Sequence, residues 1–187
     1  MTPRAVIRLP QVLGAALSAN VFVVIAQAIA VASGLAEYAF LMLIFVWNLK
    51  DGIDDFKTYE SDYASGFSLA PTVTYRVIAY VLLAVAAISL PDLQTASIWF
   101  ALYFATLTLW SANSAFRRSR QQRSDENDER LRRRKGWLVL YPICAICALV
   151  LGCGLTPFFF GAFLIAALYL FDALECRTFS NEINETL

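Results

Sequence analysis

The stretch VLGAALSANVFVVIAQAIAVA, from Val12 to Ala32, contains no charged residue. A membrane helix needs roughly 20 apolar residues to cross a ~30 Å hydrocarbon core, and this stretch is long enough to do so. Similar apolar runs recur along the whole chain. Of its 187 residues, 59% are hydrophobic and 16% charged, and the mean hydropathy is +0.58. Such a composition leaves too little polar surface to keep a soluble domain wet. The expected fold is therefore all-α, a polytopic membrane helix bundle of about six transmembrane helices in three hairpins. The spans are read at approximately 12–32, 36–50, 72–90, 96–116, 137–153 and 157–172, in a single transmembrane domain covering 1–187. Five spans, with the last two merged into a re-entrant unit, is the competing count.

Local signals support these boundaries. Pro71 and Pro91 flank the third span, where proline suits a helix end better than a helix interior. Ala30, Val31 and Ala32 resemble a signal-peptidase site, but the first span reads as a retained signal anchor. The connections after spans one, three and five carry no Lys or Arg. The basic residues fall after spans two and four, with nine Lys/Arg against four Asp/Glu between Arg117 and Lys135. By the positive-inside rule, Arg4, Arg8, Lys50, Lys57, Arg76, Arg177 and that arginine run face the cytoplasm, as do both termini. The expected location is the inner or plasma membrane.

The net charge of zero hides this segregation, and there is no histidine. Its absence excludes His-ligated haem, Ser-His-Asp catalysis and His-ligated zinc. Four cysteines, Cys144, Cys147, Cys153 and Cys176, lie in or at the ends of predicted spans, and Cys144 with Cys147 reads as an ordinary buried pair. Trp47-Asn48, Trp110-Ser111 and Phe171-Asp172 place an aromatic and then a polar residue at the ends of spans two, four and six. They read as interfacial aromatics, with an internal repeat of hairpins as the other option.

The densest polar feature is WNLKDGIDDFKTYESD, from Trp47 to Asp62. If the second helix continues through it, Asn48, Asp51, Asp55 and Asp62 share one face. Hard oxygen ligands at that spacing suit magnesium, which needs only one or two carboxylates beside substrate phosphates and water. A second acidic pair, Asp172 and Glu175, ends the sixth span, and Arg117, Arg118, Arg120 and Arg123 could neutralise phosphate oxygens. The plainer alternatives are a solvated loop for the acidic residues and topology signals for the arginines.

These residues resemble the UbiA superfamily of intramembrane prenyltransferases. Asn48, Asp51 and Asp55 are similar to its first acidic motif, Ala64 to Ser68 to the glycine turn that follows, and Phe171 to Arg177 to its second acidic motif. Trp47 and Asn48 depart from the family's usual Asn and Asp, and the family's fold continues beyond a sixth helix. The resemblance implies magnesium held by Asn48, Asp51, Asp55, Asp172 and Glu175. Arg117 and Arg118 would bind the diphosphate of an isoprenoid, and transfer of its prenyl group would follow. A different class is a non-catalytic subunit of a larger membrane complex, with Ala15, Ala16, Ala19, Ala26, Ala30 and Gly34 at a helix contact. A small solute transporter or channel is the third. Membrane lipid and other membrane subunits are the expected partners, and nucleic acid is not.

Overall fold

The computed structural model describes residues 3–64, 69–90, 92–120, 125–152 and 165. Among them the chain is helical, in the order α1 (Pro3–Ile29), α2 (Leu35–Ala64), α3 (Ala70–Ile88), α4 (Leu93–Ser119) and α5 (Asp125–Gly152). Side chains are described for fewer residues, leaving out 3–7 of α1, 53–64 of α2 and most of 125–133 of α5.

Four segments, Arg8–Ile29, Ala70–Ile88, Leu93–Ser119 and Arg134–Leu151, are long and apolar enough to cross a membrane. Large apolar side chains such as Leu9, Leu35 and Ile88 are 65% exposed or more. A water-soluble surface does not tolerate such exposure on this scale, whereas lipid is its natural solvent. The protein is an integral membrane protein.

Among the described residues, the first, third, fourth and fifth expected spans are apolar helices. The second expected span falls in α2, which is helical but not apolar enough over a membrane-length window. Glu37 stands in its first turn, and Lys50 and Asp51 end the apolar run just after Leu49. The sixth expected span, 157–172, lies outside the described residues except for Ile165, which is helical and buried.

The charged stretch Arg117–Lys135, read as a loop, is mostly helix. It contains the end of α4 at Ser119 and the start of α5 at Asp125. Arg, Lys and Glu are good helix formers, and the acidic residues at 125–129 sit where the positive end of the helix dipole favours them.

The turns are tight. Between α1 and α2 the Glu37 carboxylate reaches back to accept the Ser33 backbone N–H at 2.6 Å. Asp92 caps α4 by accepting from the N–H groups of Gln94 and Thr95 at 3.1 and 3.2 Å, and from the Thr95 hydroxyl.

In α1, Gly14, Ser18, Val21, Ile25 and Ala28 are buried, at the three- and four-residue spacing of one helical face. That face packs on α2 and α3, while α4 is gripped between α3 and α5. Aromatic side chains tie α2 to the other pair. Phe40 meets Phe100 edge-on at 5.4 Å, Trp47 meets Phe104 at 4.9 Å, and Phe104 lies 6.5 Å from Tyr141. Edge-to-face pairs at these separations add to area burial because ring edges are positive and faces negative. The aromatic column leads from the apolar middle of the bundle to its charged end.

Candidate functional site

At that end, Asp51 of α2 is 1% exposed and faces two elements. Arg76 of α3, equally buried, places Nη1 3.2 Å from Asp51 Oδ1, and Tyr103 of α4 donates its hydroxyl to Oδ2 at 2.5 Å. One carboxylate thereby joins three helices. Continuation of α2 past Leu49 puts Asp51 there, because its apolar face turns Phe40, Ile44, Trp47 and then Asp51 inward at helical spacing.

The cations around Asp51 rest on aromatic faces. The Arg76 guanidinium lies 4.4 Å from the Trp110 ring centroid. Arg134, at the first polar turn below the apolar part of α5, lies 4.1 Å from Trp110 and 4.5 Å from Trp137. The Lys50 ammonium is 5.3 Å from both Trp47 and Trp137. Trp110 and Trp137 are themselves stacked at 5.8 Å. A ring's negative face attracts a cation most strongly where water is excluded, which lets this end of the bundle bury charge. Lys50, Arg76, Arg118 and Arg134 are the buried cations among the described residues, and Asp51 is the buried carboxylate.

The residues expected to form the site are brought together only in part. Asn48 is fully buried but turns toward α1, where its Nδ2 donates to the Ser18 carbonyl at 3.1 Å. Gly52 lies one turn further along the same contact, and a Cβ there would come 3.2 Å from Ser18 Oγ. Arg117 donates to Thr72 Oγ1 at 3.3 Å, and Arg118, the next residue of α4, is buried. Asp55 continues α2, with its side chain outside the described set, and Asp172 and Glu175 lie outside the described residues.

No known family model, curated protein or solved structure matches this chain. The chemistry must therefore be argued from these side chains alone.

On Asp51 a divalent ion would compete with the Arg76 guanidinium that already pairs with that carboxylate. Among the described residues, no three His, Cys, Asp or Glu side chains gather as a metal site. The arrangement instead offers donors. Guanidinium and ammonium groups gather on indole rings near one described buried carboxylate, and an acceptor-rich anion complements such donors.

Arg76, Tyr103, Trp110 and Arg134 were not picked out as site residues from sequence. Arg76 carried a signal, since an ionisable residue within an apolar helix marks function by default. Tyr103 carried none, being one more aromatic in an apolar span. Cys144 is buried and Cys147 half-buried in α5, and neither is in a disulfide.

Proposed function

We propose that the charged end of this bundle binds the phosphate or diphosphate headgroup of a membrane amphiphile. An isoprenoid diphosphate is the first candidate, given the Asn48, Asp51, Asp55 spacing. The observation that carries the reading is the gathering of Lys50, Arg76 and Arg134 on Trp47, Trp110 and Trp137 around a single described buried carboxylate. Basic pockets between transmembrane helices are a recurrent means of holding anionic headgroups. The acyl or prenyl chain would lie along the exposed aliphatic face of the helices, and the distribution of Lys and Arg assigns the site to the cytoplasmic side. Neutralisation falls to side-chain cations and not to a metal on Asp51. The magnesium and the prenyl-transfer step implied by the UbiA resemblance would depend on Asp55, Asp172 and Glu175.

The test uses the full chain in phosphatidylcholine nanodiscs, titrated with farnesyl diphosphate and, separately, farnesol, each with magnesium or EDTA. Saturable binding of the diphosphate but not the alcohol, persisting in EDTA, is expected. Absence of saturable diphosphate binding under both conditions overturns the proposal.

A second reading, a subunit of a larger membrane assembly, is favoured by one observation. Ala15, Ala16, Ala19 and Ala26 are all exposed on α1, on the side away from the stripe that packs within the chain, and Ala30 just beyond its end is exposed too. Small residues at such spacing let another membrane helix approach closely. Replacing Ala19 and Ala26 with Leu should release the chain from any higher-mass species it forms on a native gel of gently solubilised membranes. Unchanged migration counts against this role.

A further inference from the structure

Several hydroxyls in the helices of this protein share one habit, and two at the charged end depart from it. Thr74, Ser89, Thr106 and Thr108 each donate to the carbonyl four residues earlier, at 2.8–3.0 Å. This back-bond is the usual way for a helical Ser or Thr to satisfy itself where water is absent. Ser111 and Ser114 of α4 do not make it. Both are at most 1% exposed, and neither Oγ has a hydrogen-bond partner. Trp110 Nε1, in the same turn, is likewise buried without one. Buried polar atoms are nearly always satisfied, so three together in one helical turn call for a partner.

The positions of these atoms indicate its chemistry. Trp110, Ser111, Ser114 and Arg118 lie on one side of α4, at steps of one, three and four residues, and Arg118 is 1% exposed. Arg134 covers the Trp110 ring from α5 at 4.1 Å. An indole N–H only donates, a guanidinium only donates, and a hydroxyl can donate. A cation would meet no charge of opposite sign in this set, whereas a phosphoryl group would supply an acceptor oxygen to each member. Guanidiniums carry five N–H groups, so existing partners of Arg118 and Arg134 do not preclude a further acceptor.

We infer that Trp110 Nε1, Ser111 Oγ and Ser114 Oγ, with Arg118 and Arg134, form a metal-independent phosphoryl subsite within the bundle. This deepens the proposed headgroup-binding function and rests on it. The ligand chemistry is a phosphate or diphosphate, whether it comes as a soluble anion or on a lipid.

The test titrates the full chain in nanodiscs, in EDTA, with inorganic diphosphate and separately with farnesyl diphosphate, reading bound ligand by isothermal titration calorimetry. Ser111→Ala with Ser114→Ala should weaken binding at least tenfold while leaving the melting temperature unchanged or higher, because two unsatisfied buried hydroxyls are removed. Trp110→Phe, which keeps the ring and loses the N–H, should weaken it several-fold and carries the test if the double variant does not purify. Ser97, a third buried serine on α4 without a hydrogen-bond partner, is the control, and Ser97→Ala should bind as wild type. Loss of inorganic diphosphate binding in the variants identifies a soluble anion, and loss of farnesyl diphosphate binding alone identifies a headgroup. Variants that bind both probes as wild type does overturn the subsite but leave the headgroup proposal standing. Wild-type protein that binds neither overturns both.

Discussion

Arg76 and Asp51 form an ion pair with Nη1 3.2 Å from Oδ1, both side chains almost wholly buried, between the first turn and a half of α3 and the middle of α2. A pair so placed is not primarily a source of stability, because removing two charges from water costs about as much as their attraction returns. Its energetic weight lies in the asymmetry of losing one partner. Arg76→Ala should destabilise the bundle by about 3–5 kcal/mol, since it leaves Asp51 as an uncompensated buried charge. Asp51→Ala should do the same for Arg76. Adding the second substitution to the first should recover part of the loss, a coupling that a double-mutant cycle on denaturant unfolding in detergent would measure. Purely additive losses would mean that the two residues act separately.

Tyr103 closes the same triad from α4. Tyr103→Phe keeps the ring against Phe100 and Phe104 and removes only the hydroxyl that donates to Asp51. Hydrogen bonds to charged groups contribute about 1.5–3 kcal/mol, so the expected loss lies in that range and below that of Arg76→Ala. Unfolding of the two variants side by side checks the order, and a larger loss for Tyr103→Phe would contradict it.

The contrast between fold and site follows from these residues. The apolar runs behind α1, α3, α4 and the later part of α5 were legible because a membrane helix is specified by length and composition alone, locally in the chain. The beginning of α5 was not, because a dense run of charge reads equally as a solvated loop or a solvated helix. Asn48 and Asp51 were recognisable as inward-facing from their helical spacing. Their chemistry was not. What Asp51 does depends on which cation meets it, and Arg76 arrives from the next helix. No spacing rule links the two. Ser111 and Ser114 are harder still to read, since a serine that lacks its usual back-bond looks no different in sequence from one that makes it.

The α1–α2 contact provides a steric prediction. Asn48 donates to the Ser18 carbonyl, and a Cβ on Gly52 would stand 3.2 Å from Ser18 Oγ. Gly52→Ala requires only a small shift of the Ser18 side chain and also removes glycine's helix penalty of about 1 kcal/mol, so it should be near neutral. Gly52→Leu has no such room and should separate the helices, losing about 1–3 kcal/mol by overpacking. Melting temperatures of the two variants in one detergent would separate these outcomes, and equal values would mean that the helices do not approach closely here.

Asp92 offers the clearest pH dependence. Hydrogen bonds from the Thr95 side chain and backbone hold its carboxyl below the usual carboxylate range. A group whose acidity is raised by folding stabilises the fold above its unfolded pKa and ceases to do so as pH falls through the lower, folded value. The capping contribution should therefore be fully present from about pH 5 upward and fade as pH falls through that lowered value, while Asp92→Asn should lose that pH dependence. Melting temperature against pH for the two proteins is the measurement, and parallel curves below pH 5 would show that the cap does not titrate.

The tight turns and the charged helix ends should lie on opposite sides of the membrane. Ser33 and Gln94 stand at the tips of the α1–α2 and α3–α4 connections, whereas Arg120 and Asp128 flank the connection from α4 to α5. With α4 crossing the membrane from Leu93 to Ser119, Gln94 and Arg120 occupy its two ends. The positive-inside rule assigns the arginine-bearing end to the cytoplasm. In a background with the native cysteines replaced, Ser33→Cys and Gln94→Cys should react with a membrane-impermeant maleimide in intact cells. Arg120→Cys and Asp128→Cys should react only after the membrane is opened. Labelling of Gln94→Cys and Arg120→Cys from the same side would be incompatible with α4 as a span, and labelling of Ser33→Cys and Gln94→Cys from opposite sides would mean that α2 does not cross. The reversed pattern would place the charged end outside the cell and exclude a soluble cytoplasmic phosphate as the ligand of the proposed site.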